Sequence, residues 1–253
     1  MIILIFILGL IVGSFLNALI FRLHSGESFV KGRSHCNFCK HELTALDLVP
    51  VFSFMFLRGR CRYCQKPISW QYPAVEINTA ITFVLLLQNY GLRITDYGFW
   101  IQLIFASILI VIAVFDLKHY LILDKVIWPA FLLSIMVNLF LGGWHLALWG
   151  LLAGLGLAIF FGLQFFLSRG RWIGFGDVKL GLVLGSILNW PLALTMLALA
   201  YFIGAIVGIG LIVSGKKQFS SKIAFGTFLA GSAIITMIWG AGITNWYLKL
   251  IGL

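Results

Sequence analysis

"VIWPAFLLSIMVNLFLGGWHLALWGLLAGLGLAIFFGLQFFLS", residues 126 to 168, runs for 43 residues without an Asp, Glu, Lys or Arg. A helix needs roughly 20 residues to cross the hydrocarbon of a bilayer, so the run is too long for one span and suits two. Its turn falls at "LGGWH", residues 141 to 145. Working outward, uncharged runs at 1 to 21, 97 to 115 and 223 to 248 each supply one helix, and a weaker run from 77 to 92 supplies another. The 36-residue run from Leu180 to Gly215 again holds two, broken at "NWP", residues 189 to 191, because Pro191 disfavours helix at Trp190. Eight helices result. With 61% hydrophobic and only 10% charged residues, the composition excludes a soluble globular domain. The predicted fold class is an all-α polytopic membrane protein.

With Met1 outside, sixteen of the eighteen Lys and Arg residues fall in the cytoplasm and only Arg93 and Lys249 lie outside. That asymmetry is what the positive-inside rule requires. It also accounts for the net charge of +10 without a nucleic-acid partner, leaving the lipid bilayer and its anionic head groups as partners of the basic residues. No basic residue precedes the first apolar run and no small-residue cleavage site follows it, so it reads as an anchor. The expected organisation is a first membrane helix at 1–21, a polar cytoplasmic insert at 22–72 and a seven-helix membrane domain at 73–253. An insert this small buries too little apolar surface to hold itself together and needs a staple.

All four cysteines lie in the insert, as "CNFC" (Cys36, Cys39) and "CRYC" (Cys61, Cys64). This C-x2-C-x21-C-x2-C spacing is zinc-ribbon-like. Two intervening residues let one tight turn aim both thiolates of a pair at a single tetrahedral ion, and four thiolates leave no open position. The predicted Zn2+ is therefore structural. Two disulfides or four free thiols are the alternatives, and a cytoplasmic insert disfavours disulfides.

Of the eight acids, Glu27, Glu42 and Asp47 belong to the insert and Asp96 to a short outer loop. Glu76, Asp116, Asp124 and Asp177 sit at membrane edges, where an ionisable group is a functional candidate. Asp116 follows the third apolar run and Asp177 precedes the sixth helix, so both occupy the cytoplasmic edge on different helices. Asp116 and Asp124 would be roughly 12 Å apart if helical, although a turn shortens that gap. Asp124 suits capping of the fourth helix, with Lys125 as local countercharge. Capping also accounts for Asp177, but "GFGD" places Gly174 and Gly176 just before it, and glycines leave room for an extended substrate backbone beside the carboxylate. Two adjacent carboxylates share a proton, so one can activate water while the other bonds a peptide carbonyl. Lys118, Lys125 and Lys179 read as interfacial anchors in preference to groups that tune the pair, and His119 suits either role.

These residues resemble the bacterial type IV prepilin peptidases, membrane aspartic proteases of the GxGD class. The likeness includes "GSFLNALIFRL" at 13 to 23, "RSHCNFC" at 33 to 39, "PVFSFMFLRGRCRYC" at 50 to 64, "ISWQYPAVE" at 68 to 76, "FDLKHYLILD" at 115 to 124 and "GFGDVKLG" at 174 to 181. It implies Asp116 and Asp177 as catalytic aspartates, supported by Gly174, Gly176, Asp124 and Lys179. The implied substrates are type IV prepilins or pseudopilins, cut between a basic leader and the pilin helix at the bacterial inner membrane, with the active site facing the cytoplasm. It further implies N-methylation of the new N-terminus from S-adenosylmethionine, with Gly59 and Arg60 at positions linked to methyl transfer and the cysteines as the metal insert. The chain departs from the family pattern at Leu123 and Asn37, where proline is frequent.

A transporter or channel is the rival reading, since membrane acids also mark ion paths. Transporters carry such groups near the midplane, whereas these cluster at one edge. A zinc-ribbon scaffold without catalytic activity would account for the cysteines but not for "GFGD".

Overall fold

The structure is a computed structural model and describes residues 1–28, 32–215 and 223–250. Lys31, Lys216, Lys217 and Lys222, four of the basic residues counted toward the cytoplasm, lie outside the described residues. The chain divides into two compact units, Met1–Val111 and Ile112–Leu253.

The first unit holds α1 (Ile2–Ser25), a 3-10 turn (Ala45–Leu48), the short α2 (Phe52–Phe56), α3 (Gln71–Asn89) and most of α4 (Tyr97–His119). Lipid offers apolar helices no hydrophobic reason to associate, so close packing of small residues does that work. Gly9 and Gly13 lie one turn apart on α1. A side chain on Gly9 would run into the backbone of Ala80, and one on Gly13 would meet Cα of Glu76 at 2.6 Å. One turn further on, the Asn17 amide donates to the Tyr72 carbonyl at 3.0 Å. This stripe seats α1 on α3.

The second unit holds the end of α4, then α5 (Asp124–Ser168), α6 (Phe175–Leu188), α7 (Leu192–Val213) and α8 (Phe225–Leu250). α5 is two helices meeting at Gly143, whose φ of 63° and ψ of −159° are not helical, inside the predicted turn. The predicted break at 189 to 191 separates α6 from α7. Gly154 and Gly185 bring α5 and α6 into backbone contact, since a side chain at Gly185 would lie 2.5 Å from the Gly154 backbone. Buried polar groups lock the same contact. The Ser134 and Ser186 hydroxyls are 2.6 Å apart, and Asn138 donates to the Ser186 carbonyl at 2.8 Å. Between α7 and α8, the Thr195 and Thr244 hydroxyls are 2.7 Å apart.

Among the described residues, α1, α4, α5, α7 and α8 are long and apolar enough to cross a membrane. Counting α5 as two and including α3 and α6 gives the eight segments expected. α6 has 14 residues, or about 21 Å at 1.5 Å per residue, short of the roughly 30 Å hydrocarbon core. Helix starts differ from the hydropathy boundaries: α3 begins at Gln71 rather than 77 and α6 at Phe175 rather than 180. Glu76 in α3, and Asp177 and Lys179 in α6, lie inside the helices, and their charges cut the uncharged runs short of the helix starts. Asp177 therefore lies inside the first turn of α6, not ahead of it.

Candidate active site and metal centre

The four thiols come together in the first unit, with their sulfurs all within 4.8 Å of one another and no disulfide between them. Two equivalent turns build the cluster. The N–H of Cys36 donates to the His41 carbonyl at 2.9 Å and that of Cys61 to the Lys66 carbonyl at 2.9 Å. Each turn closes on a residue with φ of 59°, Lys40 in one and Gln65 in the other. The Cys36 and Cys64 sulfurs are 3.8 Å apart, the spacing of about 3.8 Å that a tetrahedron with roughly 2.3 Å zinc–sulfur bonds demands. Burial pushes the Cys36 thiol up, but the N–H groups of Cys39 and Phe38 and the thiols of Cys61 and Cys39 outweigh it and draw it down to about 7. That favours the thiolate a metal requires. The donor set and its spacing fit a closed structural zinc site.

In the second unit, Asp116 lies in the last two turns of α4 and is 5% exposed. Its Oδ2 accepts the backbone N–H of Thr227 at 2.8 Å, and the Thr227 hydroxyl lies 3.3 Å from the same oxygen. Thr227 is in the first turn of α8, where backbone N–H groups have no partner within the helix. Asp116 thus caps α8 from another helix. Gly226 makes this possible: a Cβ there would lie 2.9 Å from Asp116 Oδ2 and 2.8 Å from Ile122 Cδ1.

Asp177 is 7% exposed and reaches back within its own helix. Its Oδ2 accepts the N–H of Gly174 at 3.2 Å. Both aspartates therefore sit at helix N-termini, where the helix dipole favours negative charge, and they are near enough for their charges to interact. Ile122 links the two ends, because a Cβ on Gly176 would lie 3.0 Å from Ile122 Cβ. Gly176 makes room for Ile122, whereas Gly174 has φ of −78° and nothing nearer than 3.6 Å to an added Cβ. Only one of the two glycines answers a steric demand here.

Asp124 is the first residue of α5, one past the N-cap Leu123. Its partner is Lys179 of α6, at 2.6 Å, rather than the adjacent Lys125. Lys179 also lies over the Phe175 ring, 5.3 Å from its centroid.

Residues 7–90 match the bacterial peptidase A24 N-terminal domain and residues 103–209 match the type IV leader peptidase family. The chain is 33% identical to the prepilin leader peptidase/N-methyltransferase of Aeromonas hydrophila, across 97% of this chain and 93% of the relative. It is 32% identical to the protein of that name in Bacillus subtilis, across 97% of each. The chain belongs to the type IV leader peptidase family. No solved structure is a significant match. For a type IV leader peptidase the transporter reading falls away, in keeping with acids held at helix ends instead of mid-span.

This leader peptidase carries Gly59 and Arg60 on the second cysteine turn. Gly59 has φ of 68°, and a side chain there would meet the Phe54 ring at 3.1 Å. Arg60 is exposed and pairs through its backbone with Pro67. The sequence reading missed Ile122, Gly226 and Thr227. One signal was available: α8 opens with Phe225-Gly226-Thr227 as α6 opens with Phe175-Gly176-Asp177.

Proposed function

We propose that this protein is the aspartic endopeptidase that removes the basic leader from type IV prepilins and pseudopilins and then N-methylates the exposed N-terminus. It does so at the bacterial inner membrane, with Met1 outside and both reactions on the cytoplasmic face, as the distribution of Lys and Arg supports. The observation that carries the reading is a pair of nearly buried carboxylates, Asp116 and Asp177, within charge reach and each tied through Oδ2 to a helix N-terminus.

The chemistry needs one carboxylate ionised and its partner protonated. The ionised group takes a proton from water, whose oxygen attacks the scissile carbonyl carbon, while the protonated group donates to the carbonyl oxygen. Collapse breaks the C–N bond and the proton passes to the leaving amine. Backbone N–H groups of α6 and α8 fix the orientation of the two carboxylates, which is what makes general acid–base catalysis efficient. Gly176 and Ile122 support that geometry from one side, and the Asp124–Lys179 pair ties α5 to α6 beside it.

Cys36, Cys39, Cys61 and Cys64 would hold a structural Zn2+ that organises the insert. Methyl transfer draws on S-adenosylmethionine and depends on the insert around Gly59 and Arg60. The test is incubation of purified protein with a prepilin-like peptide and mass spectrometry of the products. A shortened peptide bearing one added methyl group is expected. An uncut peptide would overturn the peptidase reading, and a cut but unmethylated one the transferase reading.

A further inference from the structure

Between α1, the cysteine insert and α3 lies a cavity of about 320 Å³, within the range of roughly 300–1,000 Å³ typical of small-molecule sites. Two acids line it and they are differently placed. Asp47, its side chain 3% exposed, is fully engaged: Arg62 Nε lies 2.7 Å away, and the Thr44 N–H and hydroxyl donate to it at 3.1 and 2.8 Å. Glu76 is 6% exposed and is held only by neutral donors, the Val51 N–H at 2.7 Å and the Ser14 hydroxyl. No cation among the described residues pairs with it. A buried carboxylate held this way lacks the positive partner that offsets its desolvation, and the cavity is where one can arrive.

The loop that holds Glu76 is itself strained. Val51 has φ of 62° and ψ of −50°, a conformation a β-branched residue avoids. Strain of that kind collects at ligand clamps. Phe21, Phe54, Tyr72, Arg22 and Arg62 line the cavity, giving aromatic faces for a cation and guanidinium groups for a carboxylate. A zwitterionic sulfonium carries both charges.

We propose that this cavity is the methyl-donor pocket and that Glu76 is the base that takes the proton from the substrate's N-terminal amine. The proposal rests on the transferase reading above. The amine nitrogen bonds to the donor's methyl carbon as the carbon–sulfur bond breaks, its electron pair remaining on sulfur, and the ammonium proton passes to Glu76. Gly59 acts through Phe54, a lining residue whose ring a Cβ at 59 would meet at 3.1 Å. Arg62, not Arg60, reaches the pocket directly.

The test uses full-length purified protein, radiolabelled S-adenosylhomocysteine for binding, and a prepilin-like peptide for both reactions. Ala18→Phe, filling the cavity from α1, should weaken S-adenosylhomocysteine binding at least tenfold and leave cleavage intact. Glu76→Gln keeps an acceptor for Val51, so it should bind within about threefold of the parent while N-methylation falls about a hundredfold or more. Unchanged binding by Ala18→Phe, or parental methylation by Glu76→Gln, overturns the proposal and leaves the transferase reading standing. A parent protein that never methylates overturns both.

Discussion

Asp116 and Glu76 are both buried acids near the ends of membrane helices, yet they are held in place differently. Asp116 is fixed by the first turn of a helix 111 residues further along the chain. Glu76 is fixed by a strained loop residue 25 positions away, within the same unit. The first arrangement is a product of helix packing, and it survives only if α4 and α8 meet at the right depth. The second depends on the fold of a polar insert that its cysteines staple. On the proposed assignment of proteolysis to Asp116 and methyl transfer to Glu76, different substitutions should damage the two activities.

The largest effect should come from the carboxylates. Asp116→Asn or Asp177→Asn is expected to lower leader cleavage roughly 10³-fold while the protein still inserts, because the amide retains the shape but cannot act as base. Cleavage assayed on reconstituted protein checks this, and substantial activity in Asp177→Asn would remove the paired-carboxylate mechanism. Next is the metal. Elemental analysis should return about one zinc per chain. Cys61→Ser or chelation should release it and abolish methylation, with a far smaller loss of cleavage, since metal binding and folding of such a site are one equilibrium. Active protein with no metal and four titratable thiols would contradict that.

Gly226→Ala should lower cleavage by about 10²-fold, because displacing a catalytic group by about 1 Å costs that much and the new Cβ would press on Asp116 and Ile122. Gly174→Ala, whose added Cβ would meet Asp177 Oδ2 at an ordinary contact distance of 3.6 Å, should cost little. Equal losses in the two variants would mean that the glycines serve substrate binding instead of carboxylate placement. The smallest effect is expected from Asp124→Asn, which removes an ion pair whose carboxylate is 56% exposed. Such pairs contribute about 0.2–1 kcal/mol, so thermal unfolding should shift slightly and cleavage should change a few-fold at most. A loss as deep as that of Asp116→Asn would reassign the partner of Asp177.

Membrane segments were legible because length and punctuation decide them: no single helix spans 126 to 168, and Pro191 breaks the run after Leu188. The four-cysteine cluster was legible because C-x2-C spacing is a local constraint. Ile122 was not, since its importance lies in contacts with Gly176 of α6 and Gly226 of α8, and the likeness between the starts of α6 and α8 marks Gly226 and Thr227 without showing that they meet Asp116. The pairing of Asp124 with Lys179 over Lys125 was hidden for the same reason. Fifty-five residues separate the partners, and the fold alone brings them together. Starts of α3 and α6 were misplaced because Glu76 and Lys179, charged residues inside those helices, end an uncharged run short of the helix start.

The central claim is that proteolysis belongs to Asp116 and Asp177 and methyl transfer to the insert and its cavity. The most direct measurement gives two variants two peptides, one with its leader and one already cut. Asp177→Asn should leave the leader in place yet methylate the pre-cut peptide at the parental rate, whereas Gly59→Ala should remove the leader and methylate neither. If Asp177→Asn failed to methylate the pre-cut peptide and Gly59→Ala failed to cleave, the two activities would share one site and the division between them would be wrong.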